Sequence, residues 1–464
     1  MKKPASFSKT PKRLFTTPEI PVIIGVWIAV FLIIGTRYPY HYDSINYALG
    51  IIDKFDITID QPQAPGYFFH VMLGRLVHLA VGNPFVVQQF QNLLYLFLML
   101  PCWYMVQTRR PYDILFLGTF PLTLFFPAIP IVHAVSLTIG TWMACSLYRM
   151  ETRQWSPLVP GIIYAVGIGF RQDTLIMLGP PFLYLLIRGG YPLRTWIQLV
   201  LTGAAVSLTW YIPTRILSHG VDPFNATNAM NVQFYYGSSV ILGAPLAENI
   251  RCALRFLLYG PGVVGPGGLV LLCFFLKNTR PREWLPPFLA LAPIILYGTV
   301  FLLSFSYYYA SALGFFAMWA LLKNGFPRNR KYILLACALL NLLFFWFIPR
   351  PHYEPWRGSF ATRSLPENII KQAGYIGANG RKQALYTRDI LTFADTTIGK
   401  AGTFYVEPGI LWDRIWEFLA QYRWHNTRVH RADKAGVILG FRDDRRGNCL
   451  GYSGKFALYG KSKE

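Results

Sequence analysis

Ile20-Pro21-Val22-Ile23-Ile24-Gly25-Val26-Trp27-Ile28-Ala29-Val30-Phe31-Leu32-Ile33-Ile34-Gly35-Thr36 is an uninterrupted apolar run, and a few residues beyond it stand His41-Tyr42-Asp43-Ser44. A charge-free run of this length suffices to cross the hydrocarbon core as a helix. Lys2, Lys3, Lys9, Lys12 and Arg13 precede it, so its N-terminal side is expected in the cytoplasm. Asp43 then falls just outside the far membrane face. From there to Pro84 the chain is mixed polar and aromatic, carrying Asp53, Asp56, Asp60 and the turn-rich run Gln61-Pro62-Gln63-Ala64-Pro65-Gly66-Tyr67. A long first external loop of this kind calls for a function.

The composition agrees. With 464 residues, 53% hydrophobic, 16% aromatic and 14% charged, the chain is a polytopic membrane protein rather than a soluble one. A net charge of +22 would suit a nucleic-acid binder, but the placement of the charges argues against that partner. Lys and Arg gather in the N-terminal tail, in the turns holding Arg109-Arg110, Arg149 and Arg153, Arg188 and Arg194, Lys277 to Arg282 and Lys323 to Lys331, and after Pro349. The turns are the positive-inside signal. The basic tail suits anionic head groups or an anionic acceptor, with a plain solvated surface as the alternative. The six cysteines follow no zinc or disulfide spacing and read as packing residues. No small-residue cleavage site follows the first span, which is expected to be retained.

Read in order, Gly66 to Gly82 forms an amphipathic surface helix with His70, Gly74, Arg75 and His78 on its polar face. Spans follow over Phe85 to Val106, Ile114 to Ile129 (interrupted by Pro121 and Pro127), and Ile131 to Tyr148. Leu158 to Ile187 is broken by Arg171-Gln172-Asp173. Charges at mid-membrane cost about 2.5 to 3.5 kcal/mol each, so this stretch reads as a hairpin of two short spans with its tip outside. Leu199 to Ile212 crosses next, and Pro245 to Tyr259 reads as a second surface helix with Glu248, Arg251 and Arg255 on one face. Val263 to Leu276, Pro287 to Leu303, Tyr309 to Leu322 and Tyr332 to Ile348 complete the bundle.

The expected fold class is mainly α: a polytopic membrane helical bundle of about eleven spans with a small C-terminal α/β extramembrane domain. Residues 1–19 form a cytoplasmic tail and 20–348 the transmembrane domain, with external loops at 37–84 and 213–261. Residues 349–464 form the external domain, whose apolar pieces include Gly436 to Phe441 and Phe456 to Tyr459, with a helix around Leu411 to Tyr422.

Asp43, Asn46-Tyr47-Ala48-Leu49, Phe55-Asp56 and Gln61 to Tyr67 together resemble the first external loop of the GT-C class of multispanning glycosyltransferases. The similarity points to the protein O-mannosyltransferase and aminoarabinose transferase superfamily, including bacterial family-39-like members. It is specific over Tyr42 to Leu76 and weaker at Gly169 to Asp173. It implies a loop acid acting as catalytic base and a polyprenyl-phosphate sugar as donor. The acceptor would be a glycan, lipid or protein at the external face of a bacterial inner membrane. Protein O-mannosyltransferases carry two adjacent acids at this position, whereas Ser44 follows Asp43 here, which favours another acceptor.

Sugar transfer from a lipid phosphate passes through an oxocarbenium-like state, and a general base taking the acceptor's proton contributes roughly 10²- to 10⁴-fold. Asp43 is the candidate, against the plainer reading of a solvated loop or capping acid. The leaving phosphodiester needs cations, which Arg supplies in bidentate form. Arg171 is the first choice, followed by Arg251 and Arg255, then Arg37 and Arg215; for Arg171 a simple pair with Asp173 is the alternative. His41, Tyr47, Gln61, Tyr67, His70 and Asp173 are weaker substrate-binding candidates. Asp53, Asp56 and Asp60 offer oxygen ligands, but their spacing favours surface acids, so no metal residue is assigned and a divalent ion is left open. The rival class is a transporter using Asp43, Arg171 and Asp173 for substrate or ion coupling. Its usual inverted repeats and midplane sites are not evident here.

Overall fold

A computed structural model describes residues 18–35, 42–107, 111–128, 130, 132–235, 246, 265–300, 309–323, 330–347 and 396, together with five strands after residue 400. The first apolar run is helix α1 (Glu19–Ile34). The stretch carrying Asp43 is itself helical, α2 (Tyr42–Ile52), with Asp43 in the first turn, where a negative side chain complements the helix dipole. Next come a single 3-10 turn (Ile57–Ile59), helix α3 (Phe68–His78) and the long α4 (Pro84–Gln107). The expected loop is thus largely helix.

Prolines divide the next apolar stretch into α5 (Pro111–Gly118), α6 (Pro121–Phe125) and a 3-10 turn (Phe126–Ala128), because each ring removes a backbone donor and disfavours helix in the residue before it. Helix α7 (His133–Glu151) follows. The broken stretch is indeed two helices, α8 (Leu158–Phe170) and α9 (Asp173–Gly189), meeting at an extended Arg171. Then come α10 (Leu193–Leu217), α11 (Pro223–Tyr235), α12 (Gly265–Asn278), α13 (Pro281–Val300), α14 (Ala310–Leu322) and α15 (Arg330–Phe347).

Helices α7 and α14 form the centre, buried along almost their whole length. They approach closely through glycine. A Cβ on Gly140 would lie 1.9 Å from the Ser311 carbonyl oxygen, and one on Gly314 2.5 Å from that of Leu137. Small residues permit such backbone contact between helices in lipid.

Among the described residues, the helical stretches Pro84–Cys102 and Leu193–Leu217 are long and apolar enough to cross a membrane. On α10, Leu193, Ile197, Val200, Leu201, Leu208, Ile212 and Ile216 are all exposed, as expected of a helix facing lipid. At one end of the bundle Lys323 Nζ lies 2.6 Å from Glu151 and 2.7 Å from Glu283, and Arg188 reaches Glu151 at 3.2 Å. The ends of α7, α9 and α14 and the start of α13 therefore meet. His133, at the other end of α7, marks the opposite pole about 28 Å away.

Tyr309, which begins the span expected over Tyr309 to Leu322, is buried in the core. The face of α3 that carries His70 and Gly74 was expected to meet solvent and is instead buried, while Leu76 and Leu79 point outward. Gln91 donates to the His70 carbonyl, and Gly74 lies against Ile51 and Gln91, so this face is covered by α2 and α4. Beyond the helices, β1 (Thr403–Val406), β2 (Arg428–Val429), β3 (Val437–Phe441), β4 (Asn448–Ser453) and β5 (Phe456–Gly460) form one mixed sheet in the order β2-β1-β3-β5-β4. The expected strands at 436–441 and 456–459 lie in it. The helix around Leu411 to Tyr422 falls outside the described residues.

Candidate active site

Four buried or half-buried segments converge where α2, α3, the α8–α9 tip and the start of α7 meet. Their placement begins with amides on α4. Gln88 donates to the Ser44 carbonyl on α2 at 2.8 Å, Gln91 to the His70 carbonyl on α3 at 2.8 Å, and Asn92 to the Phe126 carbonyl at 2.9 Å. Buried hydrogen bonds from side chain to backbone of this kind help fix one arrangement of neighbouring elements. Trp27 adds a bond from its indole to the Gly118 carbonyl, 2.9 Å.

Between α2 and α3 the chain turns through Gly66 at φ +104 and Tyr67 at φ +44. A side chain on Gly66 would fit tightly, its Cβ 3.0 Å from Phe55 and 3.1 Å from Thr214, and the positive φ itself favours glycine. Tyr67 holds the left-handed conformation despite its side chain, at a cost of order 1 to 3 kcal/mol that the surroundings must cover. Its ring is thereby placed edge-on to Tyr47, 5.2 Å between centroids, while Tyr47 meets His70 at 5.4 Å. Gln63 donates to the Tyr47 hydroxyl at 3.4 Å, and His70 Nδ1 pairs with the Tyr95 hydroxyl at 3.0 Å.

Arg171, expected at the tip of a hairpin on the external side, is buried within the protein. Its Nε lies 3.1 and 3.0 Å from the two Asp173 oxygens and an Nη 2.9 Å from one of them. The other Nη donates to His133 Nε2 at 2.7 Å, which makes that nitrogen the acceptor and places the imidazole proton on Nδ1. The guanidinium carbon stands 5.4 Å from the Tyr67 ring centre. The alternative of an Asp173 pair therefore holds, but the pair sits inside the site.

Asp43 is half-buried at the start of α2. Tyr67 feels its charge together with those of Arg171 and Asp173. Burial first, with both carboxylates adding and Arg171 opposing, holds the phenol above its ordinary value. Asp43, Tyr47, Tyr67, His70, Arg171 and Asp173 are thus brought into one region. Gln61 is not: it pairs through its backbone with Asp56 at the base of the loop. Arg215 donates to the Gly220 carbonyl at the end of α10. His41, Arg37, Arg251 and Arg255 lie outside the described residues.

Asp56, read as a surface acid, is buried. It accepts from the Thr58 amide at 3.0 Å and hydroxyl at 2.6 Å and faces His219 at 3.4 Å. Burial raises its carboxyl, but the Thr58 bonds and the charges of His219 and Lys54 outweigh this and hold it below the usual value. Among the described residues no group of three or more His, Cys, Asp or Glu side chains is placed to hold a metal ion. His133 and Gln63 were missed as site residues. The only trace of His133 was its place at the expected external end of a span, on the same side as Arg171.

Below the tip, an apolar groove of about 970 Å³ runs between α8, α9, α10 and α13. Ile168, Leu175 and Ile176, each within a few residues of Arg171, line it, and Leu199, Gly203 and Pro293 continue it.

This is the fold of a solved membrane protein. Compared with ArnT from Cupriavidus metallidurans, crystallised with undecaprenyl phosphate, the chain gives a TM-score of 0.56 over 96% of its length and 98% of the other's, at 11% identity. The expected helical bundle is therefore observed, in the fold that ArnT has. No protein-family profile and no curated protein sequence matches the chain.

Proposed function

We propose that this chain is an integral membrane glycosyltransferase that moves a sugar from a polyprenyl-phosphate donor to an acceptor hydroxyl, with inversion. The observation that carries the reading is the convergence of Asp43, Tyr67 and the Arg171–Asp173 pair at one pole of the bundle, beside a groove suited to an isoprenoid tail. The fold shared with ArnT, which was solved with undecaprenyl phosphate, supports it.

In this reading the tail lies in the groove and the phosphate meets Arg171. Asp173 and His133 fix the guanidinium plane, so the phosphate encounters an oriented cation. Asp43 takes the acceptor's proton as its oxygen attacks the anomeric carbon and the lipid phosphate leaves. The membrane is the bacterial inner membrane, with the N-terminus cytoplasmic and this pole and the C-terminal sheet periplasmic. The acceptor is a glycan, lipid or protein displayed there.

The test is consumption of radiolabelled polyprenyl-phosphate sugars by the purified protein in vesicles supplied with a membrane glycan extract. One donor should be consumed, and Asp43→Asn should abolish turnover while the protein remains folded. A fully active Asp43→Asn removes the base assignment. No consumption of any donor removes the transferase reading and favours transport.

A further inference from the structure

The transferase reading leaves the sugar open, but the charges around the site narrow it. We infer that the sugar handled here is uncharged, a ring presenting hydroxyl groups rather than an amino sugar carried as its ammonium. This rests on the transferase reading and deepens it.

An ammonium buried at this pole needs a carboxylate partner, since an unpaired buried charge is costly. Among the described residues that meet there, the carboxylates are Asp43 and Asp173. Asp173 is held in a fork by Arg171. Asp43 is the base, and an ammonium paired to it would lower its basicity and occupy the place of the acceptor hydroxyl. Asp56 is tied down by Thr58 and His219 at the base of the loop.

The remaining polar groups are neutral and suited to hydroxyls. Gln63 Oε1, His70 Nε2 and both side-chain polar atoms of Gln172 are shielded and find no hydrogen-bond partner among the described residues. His70 Nδ1 is taken up by the Tyr95 hydroxyl at 3.0 Å, which also receives a long bond from Gln91, 3.4 Å, so Nε2 is the ring nitrogen left open to a ligand. The shielded His70 Nε2 and the shielded Gln63 oxygen thus flank the same Tyr47. A hydroxyl group, donor and acceptor at once, answers both. Burial and the charge of Arg171 also keep His70 itself neutral, and a second cation placed there would meet the same penalty.

The test uses the full-length protein in vesicles and matched donors: polyprenyl-phosphate arabinose and glucose, each beside the analogue with one hydroxyl replaced by an amine. At pH 6 each neutral donor should turn over at least tenfold faster than its amino counterpart. The gap should close as pH rises through the titration of the sugar amine. Gln172→Glu, which adds a carboxylate at the α8–α9 tip, should narrow it at pH 6. Equal or faster use of the amino donors at pH 6 overturns the inference while leaving the transferase reading intact, as does a gap that ignores pH. Consumption of no donor overturns both.

Discussion

The Arg171 guanidinium carbon lies 5.4 Å from the centre of the Tyr67 ring, joining the α8–α9 tip to the left-handed turn that opens α3. A cation over an aromatic face contributes roughly 0.5 to 2 kcal/mol, most when desolvated, and Arg171 is buried. The contact is also directional. Asp173 grips one edge of the guanidinium and His133 another, leaving its face to the ring.

That geometry separates the ring of Tyr67 from its hydroxyl. Tyr67→Ala should weaken donor binding by about 2- to 30-fold, from the cation–π range above, whereas Tyr67→Phe should stay within a few-fold of wild type. Equilibrium binding of a fluorescent polyprenyl phosphate measures both. Equal losses in the two variants would show that the hydroxyl is what matters.

Breaking one side of a buried ion pair costs about 3 to 5 kcal/mol, because a charge is left behind. Asp173→Asn should therefore lower the thermal midpoint more than the double variant Arg171→Met/Asp173→Asn, which removes both charges. Size-exclusion thermal challenge of detergent-solubilised protein checks the order. If the double variant is the less stable one, Arg171 has other partners that outweigh Asp173.

Burial, and then the charge of Arg171, pull the His70 imidazole down to about 3. Its folded-state value lies below its unfolded one, so the unfolded chain takes up the proton first. The stability tied to neutral His70 is complete above about pH 6.5 and is lost as pH falls from there toward 3. Between pH 7.5 and 5 the thermal midpoint of the wild type should fall more steeply than that of His70→Gln. Parallel curves would exclude His70 as the source.

How far these features were legible depends on what each residue's neighbours revealed. The α8–α9 break was plain, because charges stood in the middle of an apolar stretch. Its burial was not, because sequence spacing cannot show that His133 and Tyr67 would close over the tip. The direction of α3 was misread for a related reason: a polar stripe holding His70 and Gly74 looks the same whether it meets water or buried amides such as Gln91. Asp43 was located by its distance from the first span, but its helix was hidden by the aromatic and proline residues around it. Gln88, Gln91 and Asn92, which set α2 and α3 in place, lay within a span that read simply as apolar.

The α7–α14 contact carries a sharp expectation about the centre of the bundle. Gly140→Ala places a methyl 1.9 Å from the Ser311 carbonyl oxygen, a backbone atom that cannot turn aside. The helices must separate, at a cost at or above the roughly 1 to 3 kcal/mol typical of overpacking. Gly25→Ala, at a glycine with open space around it, is the control and should leave the thermal midpoint nearly unchanged. A midpoint for Gly140→Ala equal to that of the control would mean that the two helices are further apart than described.

Gly203 offers the cleanest way to separate the groove from the chemistry. It lines the groove on α10 and has open space where a side chain would go. A leucine there fills volume without displacing a neighbour, and replacing glycine inside a helix gains somewhat less than about 1 kcal/mol in propensity. Gly203→Leu should therefore be at least as stable as wild type, yet use a long undecaprenyl-phosphate donor poorly. A donor with a tail of two or three isoprene units, which need not reach Gly203, should be turned over as before. The ratio of kcat/KM for long and short donors is the measurement, since it cancels any general loss of activity. A ratio unchanged from wild type would mean that the tail lies elsewhere, and Asp43 and Arg171 would then have to be joined to a different path through the bundle.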